Sequence, residues 1–193
     1  MAKETWKAGN MLYPLPAVMV SVTDGEGNDN ILTVAWAGTV CTNPPMVSIS
    51  VRPSWYSYEM IKNTGEFVIN LTTGPMTRAT DFCGVRSGRE MDKLAAAGLT
   101  VEPAGAVSAP LIAESPLSLE CRVTQILPLG SHDMFLAEIV AVDVEEKLLD
   151  KDGKLHLEQA GLVAYSHGEY FALGKKVGSF GFSVRKKRPK KRK

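Results

Sequence analysis

Short runs of β-branched and apolar residues, each closed by a cluster of Gly, Pro, Asn or Asp, recur along this chain and restrict its fold more than any other feature. Residues 17–23 (Ala-Val-Met-Val-Ser-Val-Thr) read as a strand. The turn cluster at 24–30 and the returning run at 31–37 make a hairpin signal with a slightly long loop. After Pro44-Pro45, residues 46–52 alternate with period two. Val47, Ile49 and Val51 fall on one side, and Ser48, Ser50 and Arg52 on the other. Further strands are expected at 66–71, 116–127 and 134–146. A hairpin turn is expected at Asp152-Gly153, and 162–173 is apolar and aromatic. Three short helices interrupt the series. One opens with Ser54 as N-cap and ends before Thr64-Gly65. One starts at Thr73-Gly74-Pro75 and runs through Phe82. One spans 89–97 and is stopped by Gly98. Strands in hairpin order predict a mainly β fold, an antiparallel sheet that is closed or nearly closed, because closure removes exposed edges.

A chain of 193 residues can bury one core without disulfides or metals. With 45% hydrophobic and 22% charged residues it is neither disordered nor fibrous. No apolar run reaches the roughly 20 residues of a membrane-spanning helix. The longest, 11–22, is broken by Pro14 and Pro16, so no membrane partner is expected. The N-terminus lacks the basic-then-apolar pattern of a secretory signal. Cys41, Cys83 and Cys121 are odd in number and far apart, which fits a reducing cytoplasm.

Charge is uneven. Residues 185–193 hold eight of the 22 Lys and Arg, which leaves 14 against 21 Asp and Glu in the rest of the chain. The expected organisation is one domain over 1–184 and a basic, disordered tail over 185–193. The tail could attract nucleic acid or another anionic surface weakly, or simply be solvated. No aromatic residue interleaves with its cations, as single-strand stacking would require.

Several chemistries are excluded. Gly25-Glu26-Gly27 lacks the third glycine of a dinucleotide fingerprint and leads into a strand rather than a helix. Gly168 to Gly174 with Lys175-Lys176 has the wrong spacing and no Ser or Thr for a phosphate-binding P-loop. His132, His156 and His167 have no partner at ligand spacing, so no metal site is expected.

Four segments remain as candidates. At 47–57, a strand ending at Arg52 leads into a helix with Ser54 and Ser57 at its start, which suits a phosphate. Ser54 as a plain cap and Arg52 as a surface charge is the other reading. At 30–36, Asn30 and Thr33 can hydrogen-bond a polar heterocycle, and Ala35 permits close approach. A core strand with a buried Trp36 is the alternative. Asn70 closes an apolar strand, as ligand contact or turn former. The segment 81–93, with Ser87, Arg89 and Lys93 around two glycines, reads either as an anion cradle or as a solvated helix connection.

Taken in order, five stretches resemble the flavin reductase-like family, flavoredoxin branch. They are Asn30-Ile-Leu-Thr-Val-Ala-Trp36, Pro44-Pro-Met-Val-Ser-Ile-Ser-Val-Arg52, Ile61-Lys-Asn-Thr-Gly-Glu-Phe-Val-Ile-Asn70, Ser87-Gly-Arg-Glu-Met-Asp-Lys93 and Gly130-Ser-His-Asp-Met-Phe-Leu-Ala-Glu-Ile-Val-Ala-Val142. The resemblance implies an FMN-binding split β-barrel of Greek-key antiparallel type with a few short inserted helices, and a homodimer with one FMN per subunit. It implies an FMN-dependent oxidoreductase taking electrons from NAD(P)H, or an electron carrier reduced by a partner protein. A non-catalytic module using the tail is the reading from another class. Carried onto this chain, the resemblance implies Thr33, Ala35 and Trp36 at the flavin ring, with Asn70 and Leu71 at its border; Asn30 stays a cofactor-binding candidate from its own segment. Ser50, Val51, Arg52, Ser54 and Ser57 hold the ribityl-phosphate arm, and Ser87 and Lys93 close the phosphate end. His132 is the catalytic candidate on the nicotinamide side, where Ser131 replaces the family's usual Asp. His167 and Tyr170 would either approach the flavin from the partner subunit or serve core or interface packing.

Overall fold

A computed structural model describes residues 1–185; residues 186–193, most of the basic tail, lie outside the described part. Among the described residues, twelve strands and three α-helices follow one another as β1 (Leu15–Pro16), β2 (Val18–Thr23), β3 (Asp29–Val34), β4 (Ala37–Cys41), β5 (Met46–Val51), α1 (Tyr56–Thr64), β6 (Glu66–Leu71), α2 (Thr77–Val85), α3 (Lys93–Ala97), β7 (Val101–Glu102), β8 (Leu111–Ile112), β9 (Leu117–Pro128), β10 (Asp133–Val144), β11 (Val163–Ser166) and β12 (Glu169–Ala172). Seven strands form one antiparallel sheet in the order β3-β2-β6-β9-β10-β5-β4. Its two edge strands, β3 and β4, are consecutive in the chain. They are joined by a bend at Ala35-Trp36, where the Ser50 N–H donates to the Trp36 carbonyl at 2.9 Å. The sheet thereby curls into a barrel.

The alternation expected at 46–51 is met: Val47, Ile49 and Val51 are buried inside the barrel. They pack with Val18, Val20, Val22, Leu32, Phe67, Ile69 and Phe135. Each such side chain contributes about 1.5–3 kcal/mol by leaving water. Helix α1 adds Tyr58, Met60 and Ile61 to that cluster. Strand β2 is buried along its whole length. Its outer face, through Met19, joins Ile31, Met76, Cys83, Leu94 and Ile112 beneath α2 and α3. That double burial explains why β2 carries no charge and why its Ser21 accepts from the buried Asn70 rather than facing water.

Several expected boundaries move. The returning strand ends at Val34, because the chain must turn at Ala35-Trp36 to reach the other edge of the sheet. Ser54 does not cap α1. A turn closed by the Trp55 N–H on the Arg52 carbonyl delays the helix, and the N-cap is Trp55, with no side-chain cap. Gly74 and Pro75 lie in turns before α2, which starts at Thr77. The third helix shrinks to Lys93–Ala97, because the Asp92 carboxylate accepts from the Ala95 N–H and sets its start. Gly98 ends it in the left-handed conformation, as expected. The run at 162–173 is a hairpin, β11–β12, that pairs with β1 in a separate small sheet.

Candidate functional site

Two adjoining clefts lie where β3, the Ala35-Trp36 bend, the start of α1 and the end of α2 meet. The first, about 350 Å³, is lined by Thr33, Ala35, Trp36, Ser50, Arg52, Trp55, His132, Tyr165 and Tyr170, with Asp81, Gly84 and Val85 from α2. The second, about 290 Å³, is lined by Asn30, Thr33, Ser54, Tyr56, Ser57, Arg86, Ser87, Arg89 and Lys93. Thr33, Trp55, Gly84 and Val85 belong to both, so the two form one groove with an aromatic half and a cationic half.

The cationic half is built from three elements. The β3 residue Asn30 donates to Ser57 Oγ at 2.7 Å, and both are buried. That bond ties the sheet to α1 and leaves the Ser57 proton available to a ligand. Lys93 is only 4% exposed, yet among the described residues it makes no ion pair; its ammonium donates to the Cys83 carbonyl at 3.0 Å. Burial pushes its pKa down, an effect only partly opposed by the Cys83 thiol. A buried cation without a counter-charge is costly, and an anion in this cleft would relieve that cost. The start of α1 supplies unpaired backbone N–H groups and the positive end of the helix dipole. Arg89 spans the rim, donating to the Ser54 carbonyl at 2.9 Å and lying over the Tyr56 ring.

Two glycines let the α2–α3 connection close on this half. A Cβ at Gly88 would fall 2.5 Å from Asn30 Oδ1 and 2.7 Å from Tyr56 Cδ1, and one at Gly84 would come 3.2 Å from Thr33 Cβ. Thr33 Oγ1 also donates to the Thr80 carbonyl, fastening α2 to β3.

The aromatic half is flanked by Trp36 and Trp55. The Trp55 ring meets His132 edge-on at 6.3 Å. Burial, with a smaller effect of the Arg52 guanidinium, lowers the His132 pKa and favours the neutral ring. The His132 Nδ1 shares a 2.9 Å hydrogen bond with Ser131 Oγ. Opposite, the Tyr170 hydroxyl donates to Asp81 Oδ1 at 3.3 Å.

The structure thus gathers Asn30, Thr33, Ala35, Trp36, Ser50, Arg52, Ser54, Ser57, Ser87, Lys93 and His132 around one groove. Arg52 sits with His132 in the aromatic half, apart from Ser54, Ser57 and Lys93, the residues with which the sequence groups it as a phosphate ligand. Three residues lie elsewhere. The Val51 side chain is inside the barrel. Leu71 packs against the barrel core. Asn70 is fully buried, donating to Ser21 Oγ and accepting from the Ile112 N–H and Ser118 Oγ. It is a bracket between β2, β6, β8 and β9 rather than a groove residue. Tyr170 lines the groove of its own subunit, while His167 sits in the β11–β12 turn against Tyr13. Trp55, Tyr165 and Arg86 are groove residues that sequence reasoning misses. Only an unusual aromatic directly after a turn marks Trp55 in the sequence.

A curled seven-strand antiparallel sheet with a groove at its bend defines the class. A family model described as a flavin reductase like domain matches residues 11–174, and the chain belongs to the flavin reductase-like family. The flavoredoxin of Desulfovibrio vulgaris (Miyazaki F) is similar with a TM-score of 0.89 and 31% identity, covering 95% of this chain and all of that one. A putative flavin reductase with a split barrel domain from Shewanella frigidimarina matches in fold at a TM-score of 0.79 and 24% identity, covering 88% of this chain and 86% of that one. The architecture is the split β-barrel. Among curated proteins, an FMN reductase (NADH) of Pseudomonas syringae is 29% identical over 127 residues, 65% of this chain and 68% of its own length.

Proposed function

We propose that this chain is an FMN-binding flavoprotein oxidoreductase that passes electrons from a reduced nicotinamide donor to flavin, ferric or another acceptor. The observation that carries the reading is the two-part groove, in which buried Lys93, without an ion pair among the described residues, faces a cleft continuous with an aromatic slot. The residues fit the cofactor: Lys93, Ser57, Ser87 and the start of α1 suit a phosphate, and Trp36, Ala35 and Trp55 suit a flat ring. When bound, the isoalloxazine would supply reversible electron chemistry. The protein orients the ring, excludes water with its tryptophans, and offers at His132 a neutral imidazole able to hold or release a proton. The likeness to the Pseudomonas syringae reductase supports a nicotinamide donor. The higher likeness to a flavoredoxin favours a second reading, an electron carrier reduced by a protein partner.

The test is spectroscopic. The purified protein is expected to be yellow, with the visible bands of bound flavin, and anaerobic NADH or NADPH should bleach them within seconds. Bleaching only by a reduced protein partner would select the carrier, whereas a colourless protein that ignores added FMN would end both readings. We also propose a homodimer. Met11 and Leu12 of the N-terminal segment, and Leu173, Phe180 and Phe182 after β12, are exposed on the single chain, a cost that a partner copy would remove.

A further inference from the structure

The Asp81–Tyr170 pair at the aromatic end of the groove lies outside both buried core clusters. Both residues line the groove, and they come from different parts of the molecule, α2 and the β11–β12 hairpin. Among the described residues Asp81 makes no ion pair, and its one side-chain hydrogen bond, from the Tyr170 hydroxyl to Oδ1, leaves Oδ2 as an unused acceptor. At 3.3 Å that bond is long for O–H···O, so the hydroxyl can turn to a better acceptor at little cost. Burial and the neighbouring carboxylate push the Tyr170 pKa up to about 12, so the hydroxyl remains a donor well into alkaline solution. The ring itself is braced edge-on against Tyr165 at 5.6 Å, and Tyr165 against Tyr13 at 6.2 Å.

We propose that Asp81 and Tyr170 form a subsite for an amide edge, an N–H beside a C=O on a planar ring. Asp81 Oδ2 accepts from the N–H and the Tyr170 hydroxyl donates to the carbonyl. The pair selects against a carboxylate at the same place, which would face Asp81 charge to charge. Two sources present this chemistry, the imide edge of a flavin and the carboxamide of a nicotinamide. The proposal rests on the function proposed above and adds which atoms of the ligand are read.

Two pairs of probes separate the sources, with Asp81→Ala and Tyr170→Phe as variants; thermal melting confirms that both remain folded. Lumiflavin and 3-methyllumiflavin, bound to flavin-stripped protein, differ only at the imide N–H. Benzamide and benzoate, bound to FMN-loaded protein, differ in amide against carboxylate. If the subsite reads the flavin edge, the parent prefers lumiflavin at least fivefold and Asp81→Ala abolishes the preference. If it reads the co-substrate, the parent prefers benzamide at least fivefold, Asp81→Ala lowers that ratio at least threefold, and neither protein distinguishes lumiflavin from 3-methyllumiflavin. Tyr170→Phe weakens the preferred probe in either case. Ratios unchanged by Asp81→Ala for both pairs overturn the proposal. A protein that takes up FMN but shows no such ratios loses this subsite alone; failure to bind FMN removes the functional reading beneath it.

Discussion

Lys93 is the residue on which the site's electrostatics turn. Its ammonium is nearly sealed from water, faces no carboxylate among the described residues, and touches one carbonyl. Replacing it by Met removes a buried charge at little cost to the fold, but it also removes a charge-assisted hydrogen bond of about 1.5–3 kcal/mol to a bound phosphate. Lys93→Met is therefore expected to raise the FMN dissociation constant roughly ten- to hundredfold, measured by flavin fluorescence, with a melting temperature equal to or above the parent's. Unchanged affinity would remove Lys93 from the phosphate cradle. Gly88 works by what it lacks. The Cβ of Gly88→Ala collides with Asn30 and Tyr56, neither of which can withdraw without breaking the Asn30–Ser57 bond or shifting the start of α1. We expect a loss of about 1–3 kcal/mol in denaturant unfolding together with weaker flavin binding. A variant matching the parent in both would mean that the loop gives way freely.

At the scale of elements, the groove depends on connections rather than on strands. The Ala35-Trp36 bend, the turn before α1 and the loop between α2 and α3 each bring side chains together that the sequence leaves far apart. The excursion between β10 and β11 shows how such a connection is held. His156 bridges Asp150 Oδ2 at 2.9 Å and Glu158 Oε1 at 3.1 Å, which raises its pKa, while the same bond drops Asp150 to about 2. A raised histidine contributes fully below its ordinary 6.5 and loses its effect as pH climbs through the raised value. A depressed aspartate contributes above its ordinary 3.8 and fails as pH falls toward about 2. The clip should hold in mildly acidic solution and loosen above neutrality. Hydrogen exchange at the His156 and Gln159 amides, corrected for intrinsic rate, should show protection falling as pH rises past the histidine's ordinary 6.5. His156→Gln should flatten that dependence, and a parent with no pH effect would make the clip ornamental.

For the whole molecule, the outstanding feature is apolar surface at both ends of the described chain. No helix among the described residues is long and apolar enough to cross a membrane. A second copy of the chain is the cover we propose, because the exposed apolar residues stand at both ends of one protomer. Sedimentation of the purified protein should give roughly twice the 20.9 kDa chain mass. A monomer at micromolar concentration would leave Phe180 and Phe182 without a partner and remove this proposal.

The strands are legible because their signal is local. Period-two alternation at 46–51 places Val47, Ile49 and Val51 inside the barrel, and the turn clusters fix where pairing stops. The residues of the groove are legible largely through the ordered resemblance, since none of the four segments declares its chemistry alone. What the sequence could not decide is where side chains at the same segment point. Asn70 and Asn30 are both buried asparagines in strands, yet one brackets four strands and the other meets the groove. Arg52 and Ser54 are two residues apart but fall in different halves of it. Local spacing determines the strand and its faces; only the closing of the sheet, which brings β3, α1, α2 and β12 together, determines which polar groups are used up inside the protein and which remain for a ligand.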